Sequence, residues 1–168
     1  MLALSLILIG ILFRFAPHAP NFTPVAAIAL FSGAYLNKKY ALLIPLVLMI
    51  VSDFFMGFHD VILFTWGGFV LITLLGVWMK KHKNIFSCLY MSVISSVLFY
   101  LISNFGVWIM GWYPHDLNGL VTCYIMALPF LRTFTLSTVL YTAVFFATYE
   151  LVASLVKNSK YSKALLTI

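Results

Sequence analysis

Charge is what this sequence has least of. Asp, Glu, Lys and Arg make up only 8% of its 168 residues, 64% are hydrophobic, and the acids number four. Soluble domains carry roughly 25% charged residues, and a small soluble fold cannot hide so much apolar surface. A water-soluble globule is therefore excluded, and lipid becomes the expected solvent. Cysteine is scarce as well. Cys88 and Cys123 fall toward opposite ends of neighbouring segments, so their Cα atoms are not expected within the roughly 7 Å a disulfide needs. HExxH, CxxC, GxSxG, P-loop and dinucleotide-binding glycine patterns are all missing, and the scattered histidines lack metal-ligand spacing. The expectation is no enzyme, no cofactor and no metal.

What is present is apolar sequence punctuated by lysine. Six helical spans can be drawn, at about 2–15, 24–37, 40–56, 61–79, 85–110 and 134–156. The first two are short for a hydrocarbon core of ~30 Å. The first stretch lacks the basic flank and cleavage site of a signal peptide and reads as an uncleaved span. The segment from Gly119 to Val156 is too long for one crossing, at ~1.5 Å per residue. Pro129 and Arg132 divide it, which predicts a short extra helix at about 120–131 before the last span. The fold class expected is an all-α polytopic transmembrane bundle, a single domain over residues 1–168.

Orientation follows from the basic residues. Lys38, Lys39, Lys80, Lys81, Lys83, Lys157, Lys160 and Lys163 follow alternate spans, and the connections 17–21, 57–60 and 111–118 contain no Lys or Arg. By the positive-inside rule the lysine side is cytoplasmic, with both termini inside and the protein in the cell (inner, cytoplasmic) membrane. The net charge of +6 thus marks topology; no nucleic-acid partner is expected.

Charges inside hydrocarbon are costly and need a reason. Arg14, Asp53 and Arg132 fall at a similar depth near the outer ends of their spans, and His18, His59, Asp60, His115 and Asp116 lie in the outer connections. One reading is a polar, partly water-filled cup whose guanidinium groups suit an anionic ligand. The other is that Asp53 pairs with one arginine to hold the bundle while the other snorkels to headgroups. Asn104, about two turns below the outer end of its span, is a further binding candidate, because a buried amide must find partners. Trp66, Trp108, Trp112 and Tyr113 map to the outer end and Trp78 to the inner end. They form interfacial belts, or Trp66, Trp108 or Tyr113 turn inward and stack on a flat ligand. Glu150, near the inner end of the last span, suggests a structural or interfacial role. Small residues stripe the second segment at Ala26, Ala29 and Gly33 and the fourth at Gly68 and Gly76. They suit close helix packing within the chain, or docking on another membrane protein.

The run PVAAIALFSGAYLNKKYALLIPLVLMIVSDFFMG, from Pro24 to Gly57, followed by WGGF and LLGVW, is similar to the substrate-binding S components of energy-coupling-factor (ECF) transporters. The second half, with SNFGVW, GWYPHDLNGL and ALPFLR, resembles small bacterial membrane proteins that look related to S components. The resemblance implies a subunit for uptake of a vitamin or other micronutrient. Its ligand pocket would lie at the outer end, gated by the loop after the first span. It also implies a transmembrane coupling subunit and two ATPases as partners. One departure is that the small-residue docking stripe of S components lies on the first helix, whereas here it is on the second segment. The candidate ligand-binding residues are Arg14, Asp53, Asn104, Trp108 and Arg132. The alternatives are a structural or assembly membrane protein and a stand-alone permease.

Overall fold

The structure is a computed structural model that describes residues 2–16, 19–81 and 84–156. Lys83, Lys157, Lys160, Lys163, Pro17 and His18, used above for topology and the outer loops, lie outside the described residues. Six α-helices follow in order: α1 Leu2–Phe15, α2 Val25–Tyr35, α3 Lys38–Met56, α4 Ile62–Met79, α5 Ile85–Ile109 and α6 Leu117–Val156. No strand occurs among the described residues. Four of these helices, α3 to α6, are long and apolar enough to cross a membrane. The helices α1 and α2 have only 14 and 11 residues, short as expected of the first two segments.

The surface is apolar and the interior holds the polar groups, as a multi-pass membrane protein requires. Phe54, Leu63 and Phe86 are largely exposed, whereas Asp53, Thr73, Ser92, Ser95, Ser96, Ser137, Thr138 and Thr142 are buried. Most buried hydroxyls bond a carbonyl one turn back in their own helix, as Ser96 does to Ser92 and Thr138 to Phe134. In this way they satisfy themselves without water.

At the centre stands α2. Every residue from Val25 to Ala34 is buried, and the helix packs against each of the other five. A helix enclosed on all sides has no polar face to keep, and where its backbone approaches a neighbour closely only small residues fit, which explains its Ala and Gly positions among the larger Ile28, Leu30 and Phe31. A Cβ on Gly33 would stand 2.2 Å from the Thr73 carbonyl oxygen, and one on Gly76 2.3 Å from that of Leu30. The stripe of Ala26, Ala29 and Gly33 is therefore consumed inside the chain, where it meets α4. It offers no surface for docking another protein.

The expected break near Pro129 does not occur. The helix α6 runs through it for 40 residues, about 60 Å at 1.5 Å per residue. Proline removes one rung of the ladder, but contacts on both sides hold the helix. Before Pro129, Tyr100 donates to the Tyr124 carbonyl and Tyr124 to that of Leu101, at 2.6 and 2.8 Å. After it, Phe134 stacks on Phe99 at 4.7 Å and Phe146 meets Phe31 edge-on at 5.4 Å. The predicted short helix over 120–131 is thus the first third of α6.

Helix ends are set by side chains in the connections. Asn84 caps α5 by accepting from the Ser87 N–H at 2.8 Å, and Asp116 caps α6 by accepting from the Gly119 N–H at 2.6 Å. At the other end of α5, His115 Nε2 lies 2.9 Å from the Trp108 carbonyl. Both His115 and Asp116, which the sequence places in an outer connection, serve helix termini there.

Candidate functional site

Connections alternate between two ends of the bundle. The lysine-bearing end holds Lys38, Lys39, Lys80 and Lys81, and Lys80 Nζ donates to the Leu36 carbonyl there. The opposite end gathers the last turn of α1, the α1–α2 loop, the end of α3, the start of α4 and the end of α5. Asp53, 1% exposed on α3, is its electrostatic centre. One carboxylate oxygen accepts from Arg14 Nη2 at 2.6 Å, and the other from Trp66 Nε1 at 2.9 Å. Arg14 Nη1 lies 3.2 Å from Met49 Sδ, while its Nε is buried and has no hydrogen-bond partner among the described residues. A lone carboxylate this deep would be expensive; a cation on one oxygen and an indole N–H on the other compensate it. Trp66 is therefore a member of the site, held by its N–H, rather than a free belt residue.

Beside this triad opens a cavity of about 290 Å³, at the small end of the roughly 300–1,000 Å³ typical of ligand sites. Polar groups reach it from Arg14, Asn21, Thr23, His59, Ser103 and Asn104. Its apolar wall is a row of rings: Phe69 against Phe99 at 4.8 Å, and Phe99 against Phe134 at 4.7 Å. Five helices contribute, together with the α1–α2 and α3–α4 loops. Asn104 donates one amide hydrogen to the Tyr100 carbonyl at 2.8 Å.

Of the five candidate residues, Arg14 and Asn104 line the cavity and Asp53 stands behind Arg14, holding it. The other two are elsewhere. Trp108 donates its indole N–H to the Pro114 carbonyl at 2.9 Å, bracing the α5–α6 connection. Arg132, expected beside Arg14 and Asp53, is exposed on the far face of α6 with Leu128, Pro129, Thr133 and Leu136. The reason is the unbroken helix. Cys123, Ala127 and Phe134 are the buried stripe at i, i+4 and i+11, with Phe130 at the cavity edge, which turns position 132 outward.

The sequence reading missed Phe69, Phe99, Phe130 and Phe134. Their helical spacing was visible, but in lipid an aromatic stripe looks the same whether it meets a ligand, a neighbour or an acyl chain. A second cavity, about 240 Å³, lies at the lysine-bearing end among Tyr35, Asn84, Cys88, Phe146 and Glu150. Both cysteines are buried, and no group of His, Cys, Asp and Glu among the described residues could hold a metal ion.

No curated protein and no solved structure matches this chain. A family profile does match it, over residues 1–163, and the chain belongs to that family, a family of unknown function (DUF6580).

Proposed function

We propose that this protein is a membrane-embedded binding subunit for uptake of a small micronutrient, similar to the S components of ECF transporters. The lysine-bearing end and both termini face the cytoplasm, and the cavity beside Arg14 faces outward in the cell membrane. A transmembrane coupling subunit and ATPases on other chains supply the energy. The observation that carries this reading is a 290 Å³ cavity with mixed polar and aromatic walls at the lysine-free end. Concave sites that combine an apolar wall with a few convergent polar groups are the usual form of small-molecule sites. The α1–α2 loop contributes Asn21 and Thr23 to the wall, so a ligand would enter past a connection rather than through a helix.

Native mass spectrometry of the detergent-purified protein tests the reading. A small molecule should travel with the wild-type chain and be lost from Asn104→Leu. Repeated preparations carrying nothing would remove the proposal. Accessibility labelling of single cysteines at positions 116 and 81 tests orientation, and the two should label from opposite sides.

A second reading, a purely structural membrane protein, draws on one observation: Asp53 and Arg14 are bonded to each other. A bundle held only by that pair would need no cavity beside it, and the first reading accounts for both.

A further inference from the structure

Resting on the binding reading above, the geometry points to a ligand class: an uncharged molecule built on a flat ring with a hydrogen-bonding edge, not an anion.

The only formally charged side chain on the cavity wall among the described residues is Arg14. A guanidinium facing a cavity ordinarily suggests a carboxylate or phosphate ligand. Here its charge is already met. Asp53 lies 2.6 Å from Nη2 and is itself 1% exposed, with the Arg14 side chain 16% exposed, so little solvent screens the pair. Nη1 is turned to Met49 Sδ, and Nε is buried. Both Nη groups are thus already engaged, and the buried Nε offers nothing to an incoming anion. A bound carboxylate would make two negative charges share one positive charge in a low-dielectric pocket. That arrangement costs far more than the remaining contacts return. An organic cation fares no better, because both Asp53 oxygens are taken and the carboxylate is screened from the cavity by Arg14.

What is left unspent is neutral. Asn104 uses one amide hydrogen on Tyr100; its second N–H and its Oδ1 have no partner among the described residues. Thr23 shares the wall with it, as does Ser103, whose hydroxyl hydrogen goes to the Phe99 carbonyl at 2.7 Å and which keeps only its lone pairs to accept with. These are donors and acceptors suited to an amide, a carbonyl or a ring nitrogen. Facing them, Phe69, Phe99 and Phe134 form a row of tilted to stacked rings, with interplanar angles of 32° and 28°. Such a row extends naturally over another planar ring, in offset-stacked or edge-on contact.

The test uses indole-3-acetamide and indole-3-acetate as probes, equal in ring and size but differing in charge, with binding followed by calorimetry in detergent. The amide should bind the wild type at least tenfold tighter. Asp53→Asn uncovers the Arg14 charge and should reverse the order. Phe99→Leu should weaken the amide about fivefold. Equal or tighter binding of the acetate to the wild type overturns the charge assignment and leaves the binding reading standing. That comparison needs no variant, so it decides even if Asp53→Asn does not fold. If neither probe binds while native mass spectrometry finds a carried molecule, the flat-ring assignment fails. If no molecule is carried either, the binding reading fails with it.

Discussion

Tyr35 on α2 donates its hydroxyl hydrogen to the Glu150 carboxylate on α6, 2.5 Å away and 115 residues further along the chain. Around it Phe31, Phe146 and Tyr149 close an aromatic cluster, with Tyr149 only 4.1 Å from the Tyr35 ring. Glu150, which the sequence left with a structural or interfacial role, thus fastens the last helix to the central one at the lysine-bearing end. Removing the carboxylate in Glu150→Ala should cost about 1 kcal/mol. Glu150→Gln keeps an acceptor and should cost less. Tyr35→Phe should match Glu150→Ala, and the double variant should add little more. Thermal unfolding in detergent reads all four, and full additivity would show that the two side chains do not act on each other.

Asp53→Ala leaves Arg14 partly buried without its counter-ion and frees the Trp66 N–H. The expected loss is about 3–5 kcal/mol, the usual result of halving a buried pair. Arg14→Met combined with Asp53→Leu should recover most of it, since apolar groups of similar volume often replace a buried pair without loss. A double variant as unstable as Asp53→Ala alone would show that the deficit does not come from a stranded charge.

Gly33→Val should be among the most damaging single substitutions, because its new atoms meet the backbone of α4, which cannot move aside. Overpacking costs about 1–3 kcal/mol or more, and contact with backbone belongs at the upper end. Gly67→Ala is the control, since a Cβ there meets nothing within 4 Å. Its midpoint of unfolding should be unchanged or slightly higher.

Asn84→Ala should cost about 1 kcal/mol through the lost cap of α5, and Asn84→Asp should retain most of it. Asp116→Ala should act similarly on α6. Hydrogen exchange confined to the first turn of each helix is the most direct readout, because the cap protects those N–H groups and no others.

Helix positions were legible in the sequence because apolar runs and loop residues leave sharp edges. The α3–α5 boundaries fall within two residues of the expected ones. The expensive charges were legible too: Asp53 and Arg14 had to find partners in lipid, and each found the other. Two features were not. Pro129 signals a helix end by its local chemistry, yet packing on α5 and α2 overrides that signal, and Arg132 consequently turns outward. The central place of α2 was also hidden. Lipid and protein interior both welcome apolar residues, so hydropathy cannot tell a helix facing acyl chains from one facing only other helices.

That central helix carries a consequence for assembly. At 11 residues it covers about 16 Å, roughly half of a ~30 Å hydrocarbon layer. On its own it would leave its end groups stranded in oil. Apart from α1, its walls come from segments synthesised afterwards, and Glu150 on α6 emerges 115 residues after its partner Tyr35. Insertion therefore cannot proceed as a simple sequence of independently settled spans. The nascent chain must keep its second segment waiting, sheltered or shallow, until the final helix closes the barrel of neighbours around it.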